Sequence, residues 1–285
     1  SLRAAFHHFV VPDAPLRLAP APDAGPFAVV SLVPDRSLRP HSSLGHVVEV
    51  IGGTWGHGAV HHVMGAAPAP LERDTDDALD ALDALDALDV VGLHRALQSA
   101  CDGGTPVLLL TTSIALQLLY ETWPQGQRLA LPEGSRLMDT GGPKGRRISL
   151  SRPDQHAWLH ETFGLPLPLI VGELGMTELG SQRYETVARA HLIGDVPPIR
   201  AYVAPPWLRT LVLDPTDLKP LPFGETGLLG HIDLANADTC AFVLTGDLGH
   251  LTPLASPYGA ALHLHGRAPG HDWRGCGLDV ELLFG

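Results

Sequence analysis

Thr140-Gly141-Gly142-Pro143-Lys144-Gly145-Arg146-Arg147 is the stretch around which the chain organises itself. Arg136–Met138 runs into it as a strand, and Pro153–Phe163 follows it with helical spacing. Upstream, Val107–Leu110 predicts a buried strand and Ser113–Tyr120 a helix; downstream, Leu167–Val171 predicts another strand. Helix and strand alternate, which predicts an α/β fold with ligands at the carboxyl ends of the strands. Further out, Phe27–Val33 between two prolines predicts a strand, and Val47–Ile51 and Val60–Met64 predict two more around the glycine-rich Gly52–Gly58. Residues 11–27, rich in Pro and Ala, read as a connection. Asp77–Asp89 repeats Asp-Ala-Leu, and a period of three keeps the leucines on one broad stripe of a solvated helix. The kink glycine and bidentate Glu of a calcium loop are missing there. Gly103-Gly104-Thr105-Pro106 stops that helix. From about residue 200 the pattern changes to short strands separated by Pro and Gly: Ala201–Val203, Thr210–Leu213, Gly227–Ile232 and Cys240–Leu244. The expected organisation is a single large domain over residues 1–285, α/β over about 28–200 and β-rich over about 201–285.

With 19 basic against 31 acidic residues the formal charge is −12, which repels nucleic acid and anionic membrane. The cations of Lys144–Arg147 read as a local phosphate contact. Cys101, Cys240 and Cys276 make no disulfide framework and no CxxC pair, so a cytoplasmic setting is expected. No apolar run reaches the ~20 residues that would span a bilayer. The chain opens at Ser1 without methionine, and an upstream portion is expected.

The motifs carry chemistry. Thr177 and Glu178, in Gly175-Met176-Thr177-Glu178, set a hydroxyl beside a carboxylate, which together suit an α-phosphate and Mg²⁺. A helix N-terminus would also favour that pair. The Gly141–Lys144 turn is not a Walker loop, because the GxxxxGK[ST] spacing is absent; an ordinary strand-to-helix loop is the alternative. Asp247, in Thr245-Gly246-Asp247-Leu248-Gly249, suits a cis-diol, or else is a turn aspartate. Cys276 follows Arg274 and sits between glycines, which favours an accessible thiolate; a small buried hydrophobe is the alternative. The sixteen histidines, with His57, His61 and His62 close together and His263 and His265 alternating, show no recognisable four-ligand spacing and read as scattered.

Thr140–Arg146, Gly175–Gln182, Asp233–Asn236, Thr245–Gly249 and Arg274–Cys276, taken in this order, resemble the TGGxKGR, GMTELxSQ, DLAN, TGDLG and RGC segments of the acyl-protein synthetases (LuxE type), a branch of the adenylate-forming ligases. The resemblance extends to Ser31–Pro34 and Ser42–Leu44. It implies the large domain of adenylate-forming enzymes, with α/β sheet layers followed by a distorted β-barrel. It also implies activation of a fatty or other carboxylic acid with ATP and Mg²⁺, then transfer of the acyl group to a thiol, with an acyl-reductase or acyl-carrier protein as partner. By the same resemblance Gly141, Gly142, Pro143, Lys144 and Gly175 line the nucleotide, Thr177 contacts phosphate and Glu178 the metal. Asp247 and Arg267 hold the ribose, and Cys276 takes the acyl group. Two departures stand out: Leu174 occupies a place usually held by an aromatic ring that stacks on adenine, and the phosphate loop upstream of the Ser31–Leu44 region is missing. A second reading is therefore a binding or scaffold module of the same fold that does not catalyse.

Overall fold

Val107–Thr112 (β5) is buried along almost its whole length, as a strand covered on both faces must be. The computed structural model describes residues 1–17, 19, 25–65, 87–141, 150–255 and 257–268. These fall into two compact units, one within residues 17–170 and the other made of residues 1–16 and 171–268.

In the first unit β5 pairs in parallel with Ala28–Ser31 (β1) on one side and Arg136–Thr140 (β6) on the other, and β1 pairs in parallel with His61–His62 (β2). Parallel pairing requires crossovers, and helices supply them: Ser43–Trp55, Val90–Asp102 and Ser113–Thr122. Each begins on a side chain that accepts a backbone N–H of its first turn: Ser42 from Gly45, Asp89 from Gly92 and Thr112 from Ala115. Arg152–Phe163 starts likewise on Ser151 and ends at Gly164, whose φ of 68° is the left-handed cap that glycine adopts without strain. The apolar faces close over one core that includes Leu97, Leu109, Leu116, Leu137, Leu159 and Phe163.

Several expectations need correction. Val47–Ile51 lies inside the helix Ser43–Trp55 and is not a strand. Its β-branched residues favour a strand locally, but the Ser42 cap and the burial of Val48, Ile51, Gly52 and Trp55 along one face decide for helix. Gly52 is needed there, since a Cβ would sit 2.2 Å from the Val60 side chain. The helix ended by Gly103 starts at Val90, with Asp89 as its cap and Ala87–Leu88 extended before it. Most of the Asp-Ala-Leu repeat lies outside the described residues. Leu167–Leu169, which follows Pro166 and contains Pro168, is a short 3₁₀ turn, and the strand runs from Ile170 to Leu174 (β7).

The second unit is antiparallel. Its strands are β7, Arg183–Tyr184 (β8), Tyr202–Val203 (β9), Leu208–Leu213 (β10), Gly227–Asp233 (β11), Phe242–Pro253 (β12) and Ala260–Arg267 (β13). They lie in the order β10-β11-β12-β13-β9-β8-β7. β12 is far longer than expected, and Cys240 lies exposed ahead of it. Two bulges, between Leu228 and Gly230 and between Leu248 and Gly249, bend the pairing of β12 with its neighbours. Val212, Leu229 and Leu262 form a small core. Phe6 and Phe9, on the helix Leu2–Phe9, pack against the Tyr184 ring at 6.2 and 5.7 Å.

Candidate functional site

β6 delivers Thr140 and Gly141 at its carboxyl end, in the first unit. Gly141 has a φ of 82°, so the chain turns there in a conformation that side chains rarely adopt. The Ser113 hydroxyl reaches both oxygens of buried Asp139 at 3.2 Å and the Gly141 carbonyl at 3.0 Å. The start of the helix Ser113–Thr122, which precedes β6, is thereby tied to the mouth of the glycine turn. Neither Ser113 nor Asp139 was singled out from sequence; a carboxylate at the end of an apolar strand was the available signal. Gly142, Pro143, Lys144 and Cys276 lie outside the described residues.

β7 delivers the second motif, in the other unit. Its chain leaves the strand at Leu174 and turns over Met176–Leu179, the Leu179 amide donating to the Met176 carbonyl at 3.1 Å. Thr177 and Glu178 sit exposed at the tip, and Leu179 is buried beneath them. No helix begins there, so the favourable placing of Thr and Glu at a helix N-terminus does not apply. A Cβ on Gly175 would lie 2.5 Å from the carboxylate of buried Glu173. Leu174, in the place of the aromatic residue, packs against the core of Val212, Leu229 and Leu262.

Asp247 and Arg267 face each other across β12 and β13, and Arg267 Nε donates to Asp247 Oδ1 at 3.1 Å. Asp247 is a strand residue, which replaces the turn reading. Its carboxylate is half-buried and already held through one oxygen. Nearby on the same strands His250 Nδ1 lies 2.7 Å from His265 Nε2, and the His250 and His263 rings stack at 4.5 Å. Burial, then the charges of His250 and His265, lowers the His263 pKa. Among the described residues no three or more His, Cys, Asp or Glu side chains are grouped so as to hold a metal ion.

Behind the Met176–Leu179 turn lies a set of buried polar groups. Ser181 Oγ donates to Asp233 Oδ1 at 2.7 Å, and Trp207 Nε1 donates to Ser181 Oγ at 3.0 Å. Arg183, fully buried, donates to Thr210 Oγ1 at 2.5 Å and to His231 Nδ1 at 2.8 Å. Burial draws the Arg183 pKa down to about 10, against the charges of Asp233 and Glu173. His231 is pushed down to about 3 by burial and by Arg183, so it is neutral and its Nδ1 accepts a hydrogen bond from the arginine. Ser181 and Asp233 belong to the Gly175–Gln182 and Asp233–Asn236 segments; Arg183, Trp207, Thr210 and His231 carry no signal in the sequence alone.

The donor set suits a hard cation. Mg²⁺ is commonly held through one or two carboxylates together with substrate phosphates and water, and Glu178 and Thr177 offer a carboxylate and a hydroxyl at an exposed tip.

No protein-family model matches the chain. It is 25% identical over 200 residues to the long-chain-fatty-acid–luciferin-component ligase of Vibrio harveyi, covering 68% of this chain and 49% of that protein. It is 29% identical over 152 residues to the protein of the same name from Aliivibrio fischeri, covering 51% and 37%. The resemblance carried by the motifs is borne out by these relatives, of whose length the chain spans half or less. Solved structures that it matches include a long-chain-fatty-acid-CoA ligase from Archaeoglobus fulgidus (TM-score 0.49, 15% identity, 85% of this chain and 44% of that one). Another is ATP-bound MatB from Rhodopseudomonas palustris (TM-score 0.47, 17% identity, 85% and 41%).

Proposed function

We propose that this chain carries the nucleotide-facing part of a ligase that activates a carboxylic acid, of the fatty class, with ATP and passes the acyl group to a thiol. The observation that carries this reading is the Met176–Leu179 turn, which buries Leu179 and holds Thr177 and Glu178 out at its tip. A carboxylate oxygen of the acid attacks the α-phosphorus of ATP, and the bond to pyrophosphate breaks. Thr177 donates to a phosphate oxygen, and Glu178 would hold Mg²⁺, which would supply positive charge against the departing pyrophosphate. Asp247 accepts hydrogen bonds from the ribose hydroxyls, oriented for them by Arg267. Gly141 lets the backbone approach the nucleotide closely, together with Gly142, Pro143, Lys144 and Gly175. The Cys276 thiolate then attacks the acyl carbonyl and AMP leaves, which gives a thioester on the protein. An acyl-reductase or an acyl-carrier protein is the proposed recipient. No helix among the described residues is long and apolar enough to cross a membrane.

The test is incubation of the full-length protein with ATP, Mg²⁺ and a radiolabelled long-chain acid. Acid-dependent exchange of pyrophosphate into ATP and a hydroxylamine-labile label on the protein are expected. Cys276→Ser should abolish the label and leave the exchange. Cys240→Ser is the necessary control, because Cys240 is exposed. The Cys101 thiol is held protonated by burial and by Asp102, and should not react. Label persisting in Cys276→Ser, or exchange vanishing with it, overturns the assignment. A second reading, a module of this fold that does not catalyse, draws on Leu174, which packs against the core where the family carries an aromatic residue. The absence of exchange across fatty, aryl and short acids would decide for it.

A further inference from the structure

The Asp233–Asn236 segment has no chemistry of its own in the proposed reaction, yet its side chains are spent on one neighbour. Asn236 Nδ2 donates to the Glu178 carbonyl at 3.0 Å and to the Cys240 carbonyl at 2.9 Å. Its Oδ1 accepts from Thr239 Oγ1 at 2.7 Å, which sets which way the amide faces. Asp233 Oδ1, fully buried, accepts from Ser181 Oγ and, at 3.0 Å, from the Ala235 amide. Between these two attachments Gly180 passes so close that a Cβ would lie 3.1 Å from the Ala235 carbonyl oxygen. Leu234 N donates to the Trp207 carbonyl, while the Trp207 indole donates to Ser181. Two turns more than fifty residues apart in sequence are thus joined at both ends of the Glu178–Ser181 stretch.

The two attachments differ in kind. The Asp233–Ser181 bond lies in the interior, among groups that support the fold. The Asn236–Glu178 bond is at the surface, and its only reach is to the main chain of the residue whose carboxylate stands at the tip. Every hydrogen-bonding group of the Asn236 side chain is used, two N–H donations and one acceptance. An amide so committed holds a carbonyl in one place, and the Glu178 side chain departs from the same peptide.

We infer that Asn236 is a positioning residue for Glu178: it clamps the main chain of the Met176–Leu179 turn so that the Glu178 carboxylate is presented in one direction. What Glu178 then binds rests on the ligase reading; the clamp itself does not. Groups that orient a metal-binding side chain without touching the ion commonly govern affinity by about 10- to 100-fold. Loss of Asn236 should therefore appear in the metal dependence of the reaction before it appears in stability.

The experiment uses the full-length protein and two readouts. In Asn236→Ala, amide hydrogen exchange of the peptide covering Gly175–Gln182 should speed up by about tenfold or more, with the Val107–Thr112 strand unchanged. In pyrophosphate exchange, the half-saturating Mg²⁺ concentration should rise about tenfold, with the KM for the acid unchanged. Thr239→Val, which removes the bond that orients the amide together with a longer contact of 3.4 Å to the Asn236 carbonyl and leaves the Asn236 side chain in place, should move both readouts the same way by less. Parental protection at Gly175–Gln182 and parental Mg²⁺ dependence in Asn236→Ala overturn the inference. Should Asn236→Ala lose protection throughout, Thr239→Val decides by the same criteria. A parent protein without pyrophosphate exchange refutes the ligase reading, while hydrogen exchange still decides the clamp.

Discussion

The two units are held together by different means. In the parallel unit β1 and β5 are nearly continuous apolar runs, the helices start on the local caps Ser42, Asp89, Thr112 and Ser151, and buried Arg136 finds its acceptor two residues away at the Gly134 carbonyl. In the antiparallel unit a small apolar core of Val212, Leu229 and Leu262 accompanies a buried Arg183 bonded to a neutral His231 and set in the negative charge of Asp233 and Glu173. The lesson is one of legibility. Caps and apolar runs are local, whereas a buried Arg183 has meaning only beside partners 27 and 48 residues away.

That contrast can be broken at its strongest point first. Asp233→Ala removes the buried acceptor for Ser181 and for the Ala235 amide, and part of the negative charge that raises the Arg183 pKa, and should cost about 2–3 kcal/mol, as for buried hydrogen-bonding groups left unpaired. Urea unfolding measures it, and Asp233→Asn, which keeps an acceptor oxygen, should lose less. A cost below 1 kcal/mol would show that the buried polar set does not hold this unit.

A smaller effect comes from His231. Its folded pKa of about 3 lies below the unfolded value near 6.5, so between those pH values the unfolded chain binds the additional proton. Stability contributed by this residue is whole above about pH 6.5 and falls with pH below it, by up to about 1.4 kcal/mol per pH unit. Between pH 6.5 and 5 the parent should thus lose roughly 2 kcal/mol more than His231→Asn. Parallel pH profiles for the two proteins would remove His231 from the account.

Smallest is Ser42→Ala in the parallel unit, which removes the hydrogen bond to the Gly45 amide and should cost about 1 kcal/mol. A loss equal to that of Asp233→Ala would erase the distinction between the units.

Much of the fold was legible. Ser113–Thr122, Arg136–Thr140 and Arg152–Phe163 match their expected elements within a residue or two, because period, caps and flanking Gly or Pro agree there. Val47–Ile51 was misread because β-branched residues favour strands locally, and burial of the face carrying Val48, Ile51 and Trp55 overrode that preference. At the candidate site the residue types and their order were legible. Asp247 and Arg267 are named together by the resemblance, but their direct hydrogen bond across the β12–β13 register is visible only in three dimensions.

The sequence by itself determined the alternation of strand and helix in the first unit, the strand-rich character of the later part of the chain, and which segments carry hydroxyls, carboxylates and glycines. Those are statements about neighbours along the chain, governed by local sterics and periodicity. The tertiary structure alone decided that Leu174 packs against the core, that Asp247 is a strand residue bonded to Arg267, and that Asn236 reaches the carbonyl of Glu178. Each depends on hydrogen-bond or packing distances of a few ångströms between segments far apart in sequence. Such distances follow from strand order and register, which residue types alone do not specify.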